Sequence, residues 1–142
     1  VSQTRIAVAQ AMAFVLLFFP IICLIELRSP LFFVPFIEEF FGRLLPFVIV
    51  YRYLHDNVNP VTVGISAGMT FGVLEIASKI SILGYFSPLM LLPVVFVHVP
   101  NAVIQSVVVN ACYNDRSYAL IPTAYIICVL WHWLYNAYFY VV

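Results

Sequence analysis

Five apolar runs, each about 22 to 25 residues long and separated by short polar breaks, leave this chain few folds to choose from. At the helical rise of about 1.5 Å per residue, such a run is roughly 33 to 38 Å long, enough to cross a bilayer with some tilt. Charged residues make up 8% of the chain and hydrophobic ones 65%, with a mean hydropathy of +1.08. A soluble domain carries about a quarter charged residues. The expected class is therefore all-α: a polytopic transmembrane helix bundle of about five spans, one integral membrane domain over residues 1–142, in contact with the lipid bilayer. Six basic and six acidic side chains cancel, which leaves no basic surface and excludes a nucleic-acid partner. Cys23, Cys112 and Cys128 all lie in apolar runs without metal spacing and read as packing residues.

The breaks place the spans at about 6–27, 31–54, 61–83, 88–112 and 118–142. The first is longer than a signal-peptide core and is expected to be a retained, accessory span, with the site in residues 31–142. Pro20, Pro35, Pro46, Pro93, Pro100 and Pro122 fall inside the runs, where they kink helices and free carbonyls for other partners. Arg5, Arg52 and Arg116 share one face of the membrane against Arg28 and Lys79 on the other, which favours a cytoplasmic N-terminus.

Hydrophobicity does not account for Glu38, Glu39, Arg43, Glu75, His98, Asn101, His132 and Asn136, all inside spans. An ionisable side chain at mid-helix costs about 2.5 to 3.5 kcal/mol on the insertion scale, so such residues mark function by default. Their depth adds to this. Counted from the side that holds Arg28 and Gly84 (side B), Glu38, Glu39, Glu75, His98 and His132 all lie roughly 12 to 15 Å below the surface. One site assembled from four helices has that property; independent polar substitutions do not. Glu39 and Arg43 are spaced i,i+4 for an ion pair that neutralises Glu39, and His132 and Asn136 share a face. Gly64, Gly68 and Gly72 form a ridge that admits a close neighbour and aims Glu75, one turn later, at the interior; Phe71 shares the face of Glu75. Glu26, Arg28, Arg52, Asp56, Asp115 and Arg116 read as solvated helix ends, His55 as a loop residue outside the site, and Gln105 and Asn110 as interhelical hydrogen bonds.

The order Glu38-Glu39-Phe40-Phe41-Gly42-Arg43, Phe71-Gly72-Val73-Leu74-Glu75, His98, then His132-Trp133-Leu134-Tyr135-Asn136 resembles the intramembrane protease superfamily. That group comprises the CAAX prenyl endopeptidases, bacteriocin-processing proteins and PrsW proteases. The likeness covers about residues 36–140. The EExxxR motif is CAAX-like, whereas the stretch from Gly64 to Glu75 is PrsW-like, with glutamate where the CAAX group has histidine. His98 has Ala102 four residues on, so it departs from HxxxN, and Asn101 stands one position early; His132 and Asn136 fit that motif.

The resemblance implies an intramembrane endopeptidase acting on a membrane protein or peptide near side B. Amide hydrolysis needs an activated water and a stabilised oxyanion. A carboxylate beside another in a poorly hydrated bundle can supply the base, which points to Glu38 or Glu39. His132 and Asn136 are expected to stabilise the oxyanion, His98 to position water or a carboxylate, and Glu75 to complete the polar shell. This route requires no cofactor. A metal-type route is implied as well, with zinc on His98, His132, Glu39 and Glu75. Two other classes share the composition: a small proton-coupled transporter, and a non-catalytic scaffold of the same fold that binds a transmembrane partner.

Overall fold

The computed structural model describes residues 2–139, and these are helical apart from short loops. Helix α1 spans Gln3–Glu26, α2 residues 31–53, α3 Pro60–Leu83, α4 Pro88–Asn114 and α5 Leu120–Phe139. Four of the five, all but α2, are long and apolar enough to cross a membrane. The second expected span is helical over residues 31–53 but carries Glu38, Glu39, Arg43 and Arg52. Residues 140–142, the end of the last expected span, lie outside the described residues.

Local chemistry sets the ends. Ser2 caps α1 by accepting from the Arg5 N–H. Asn59 Oδ1 accepts from the Val61 and Thr62 N–H groups at 3.1 and 3.2 Å, with Pro60 at the first helical position, where its missing N–H costs nothing. Gly84 closes α3 at φ +76°, a left-handed conformation that glycine adopts without steric cost.

The glycine ridge sets the centre of the bundle. A Cβ on Gly64 would lie 2.6 Å from Val103 Cα, one on Gly68 2.7 Å from the His98 carbonyl oxygen, and one on Gly72 2.6 Å from Val94 Cγ2. The α3 backbone thus rests directly on α4. Gly68→Val forces the two helices apart against main-chain atoms, which have no rotamer to yield. It should lower stability by about 1 to 3 kcal/mol, read as a fall in the thermal unfolding midpoint in detergent. An unchanged midpoint would show that the helices separate freely.

Two of the helices do not keep α-helical register. In α2, residues Phe40–Leu44 form a π turn, with the Leu45 N–H reaching back five residues to the Phe40 carbonyl. In α4, residues Val94–His98 do the same, with the Val99 N–H on the Val94 carbonyl. Each π turn is followed, two residues after its end, by a proline, Pro46 or Pro100. Proline has no N–H to return to the carbonyl four residues back, here Gly42 or Phe96. The Phe96 carbonyl instead accepts from Trp131 Nε1 of α5 at 2.7 Å. Trp131→Phe should therefore cost about 1 kcal/mol. The same change should cost less in a Pro100→Ala background, where a backbone N–H is again available. Equal costs in the two backgrounds, by unfolding midpoint, would break the link.

Candidate functional site

The π turns matter because each carries a site residue, Arg43 in α2 and His98 in α4. Such turns rotate the helix that follows them relative to α register and recur at functional positions. Both side chains turn inward and are essentially unexposed, at 0% and 1%. They meet: Arg43 Nη2 hydrogen-bonds His98 Nδ1. A guanidinium only donates, so Nδ1 accepts and the His98 proton sits on Nε2, which donates to Glu75 Oε2. Phe71 supports the pair from α3, its ring centroid 4.7 Å from Arg43 Cζ and 5.1 Å from the His98 ring centroid.

Glu39 is the fully enclosed member of the double glutamate. Its Oε1 is ion-paired with Arg43 Nη1 at 2.7 Å and accepts from Asn101 Nδ2 and His132 Nδ1, both at 2.8 Å. Its Oε2 accepts from Gln105 Nε2 at 2.7 Å. Three hydrogen-bond donors and one ion-paired guanidinium, drawn from three helices, thus converge on one carboxylate, leaving little lone-pair capacity for a reacting molecule. Glu38, next in sequence, points the other way. It lines a cavity of about 840 Å³, with Oε2 3.2 Å from His132 Nε2 but not aligned for a hydrogen bond.

All five helices line that cavity, each through its side-B half. Its polar wall is formed by Glu26, Glu38, Glu75, Lys79, His98, His132 and Asn136, set among apolar residues. The structure therefore brings together every charged and histidine residue that the depth count grouped. The count did not foresee the division of labour between Glu38 and Glu39. Asn136 lies one turn beyond His132 on the cavity wall, and its side-chain amide makes no hydrogen bond to another described residue. Arg43 and Phe71 are supports, and Asn101 holds both Glu39 and the Cys128 carbonyl.

Two expectations need correction. The first helix is not accessory: Phe19, Ile22, Cys23 and Glu26 build one wall of the cavity. Glu26 is not a solvated end, because its side chain is half-buried and its carboxyl meets that of Glu38. Gln105 makes the interhelical hydrogen bond expected of it, and its acceptor is Glu39, whose shell it completes; its place one turn after Asn101 marks it in the sequence. Lys79, expected only to lie toward the same membrane face as Arg28, pairs with Glu75 Oε1 at 2.5 Å, as its i,i+4 spacing allows. Arg28, Arg52, Asp56, Asp115 and Arg116 are exposed, and His55 lies in the loop after α2, hydrogen-bonded to the Tyr51 carbonyl.

The zinc set of His98, His132, Glu39 and Glu75 does not form a metal site as these side chains stand. Both ring nitrogens of His98 and one of His132 are already engaged by protein partners, and Glu39 is saturated. Among the described residues, no three His, Cys, Asp or Glu side chains converge as metal coordination requires.

Together these observations define a class: an all-α bundle with four helices of membrane-spanning length and apolarity, and a polar, carboxylate-rich cavity reaching in from one end. No family model, curated protein or solved structure matches the chain.

Proposed function

We propose that the chain is an integral, multi-pass membrane protein that hydrolyses a peptide bond of a membrane protein or peptide, with Glu38 as the base. The observation that carries this reading is the split of the double glutamate. One carboxylate is held by three hydrogen-bond donors and an ion pair; the other stands on a cavity wall with an unpartnered oxygen, facing a histidine that the first one orients.

The steps follow from those positions. Glu38 takes a proton from a water in the cavity as the water oxygen attacks the substrate carbonyl carbon. Negative charge collects on the carbonyl oxygen, and it is stabilised by Asn136 Nδ2 and by His132 as the imidazolium, whose Nδ1–H stays on Glu39 while its second proton, on Nε2, faces the oxyanion. Glu39 accepts from His132 Nδ1 and so fixes the ring with Nε2 toward Glu38 and the cavity. Protonated Glu38 then gives its proton to the amide nitrogen, the C–N bond breaks, and an acid and an amine leave. Arg43, His98 and Glu75 do not touch substrate; they hold Glu39 and the α3–α4 wall in place.

The test is a pool of transmembrane and juxtamembrane peptides incubated with purified wild type, Glu38→Gln and Asn136→Ala, with new termini read by mass spectrometry. Cleavage by wild type and none by Glu38→Gln is the expected result, with Asn136→Ala slowed. Equal products from wild type and Glu38→Gln would refute the assignment of the base. No cleavage of any peptide by wild type would turn the reading toward the scaffold and transporter classes.

A further inference from the structure

The charges lining the cavity do not balance. Eight side chains form one unbroken series: Glu26, Glu38, His132, Glu39, Arg43, His98, Glu75 and Lys79, each against the next. The inner carboxylates have cations, Glu39 with Arg43 and Glu75 with Lys79. The outer two, Glu26 and Glu38, meet each other and one histidine, while Lys79 and Arg43, each paired with an inner carboxylate, act on them from further off. Glu38 is more than nine-tenths buried, and its Oε2, like Glu26 Oε1, is enclosed without a hydrogen-bond partner. Two carboxyls in contact are held either by a proton between them or by a cation brought to them.

Place narrows what that cation can be. Glu26 is the last residue of α1, at the side-B end of a 24-residue apolar helix. The approach to it is apolar, through Leu27, Leu31, Phe32 and Trp133. A guest that lays a hydrophobic segment along these residues and ends in a positive charge meets both requirements. Membrane peptides have that form, because lysine and arginine gather just outside the apolar span.

We infer that the outer end of the cavity selects membrane peptides that carry a lysine or arginine immediately beyond their apolar segment, with Glu26 as the recognising carboxylate. The inference rests on the protease reading above and deepens it to a substrate class, and recognition can be measured without cleavage. Glu26 is then a specificity residue and Glu38 the base beside it.

The test uses the full chain in lipid nanodiscs and two fluorescent single-span peptides, identical except for lysine or glutamine at the first position beyond the span. The expected result is about tenfold tighter binding of the lysine peptide to wild type, a ratio that falls to near one in Glu26→Gln. Glu26→Lys should invert the preference toward a peptide with glutamate at that position. That inversion also shows that a variant which lost the ratio had not merely lost its fold. Equal binding of the two peptides by wild type, or a lysine preference that survives in Glu26→Gln, would overturn the inference. Cleavage is scored in the same samples: preference without cleavage keeps the recognition site and removes the protease, while cleavage without preference does the reverse.

Discussion

Glu38→Gln is expected to reduce peptide cleavage by about 10² to 10⁴-fold, the range for losing a positioned general base, while leaving the unfolding midpoint close to wild type. Glutamine keeps the volume of the side chain, and the Glu38 oxygen it replaces has no hydrogen-bond partner to lose. Glu39→Gln should behave in the opposite way. A neutral amide cannot neutralise Arg43, and its NH₂ group would face N–H donors from at least one of Arg43, Asn101, His132 or Gln105. Stability should then fall by several kcal/mol, and activity should fall with it because His132 loses its orienting acceptor. The two profiles, initial rate against unfolding midpoint, separate the adjacent glutamates. If Glu39→Gln were as stable as wild type and equally inactive, the roles assigned to the pair would be reversed.

Arg43→Ala should produce the largest loss of stability of any single change in the bundle, about 3 to 5 kcal/mol. The side chain is wholly buried and touches three groups that have different uses for it. It neutralises Glu39, donates to His98 and lies over the Phe71 ring. Removing it leaves a buried carboxylate without its cation and a histidine without the donor that fixes its tautomer. Replacing the pair together, Glu39→Gln with Arg43→Met, should recover part of that loss, because no unpaired charge then remains. Denaturation midpoints of the two single variants and the double variant check this. Additive losses would show that the pair contributes nothing as a pair.

The depth of the polar residues was the part of the site most legible in the sequence. Antiparallel spans convert residue counts into levels, so Glu38, Glu75, His98 and His132 could be grouped without knowing a single contact. The glycine ridge was legible for a similar reason: its spacing matches a helix face, and its closeness to α4 follows from the missing side chains. What was not legible has two causes. A one-residue slip inside a helix leaves no mark in hydrophobic periodicity, so α2 read as a uniform span although Pro46 and Pro100 stood where a slip would be needed. Residues at helix ends are ambiguous as well. Glu26 has the same sequence surroundings as an exposed cap, and only the packing of α1 against the other helices makes it part of the wall. It does continue the buried stripe through Val15 and Ile22, a spacing that could have drawn notice.

The cavity draws its walls only from the side-B halves of the helices. Beneath it, the enclosed carboxylate of Glu39, Asn101 and Gln105 form a floor, and below that Tyr51 and Ser106 close on the Pro60 carbonyl. In a bilayer this shape is a cul-de-sac: water and ions that come in go out by the same door. On the hydrolytic reading proposed above, the site is thus kept wet deep in an apolar medium without short-circuiting the voltage or proton gradient across it.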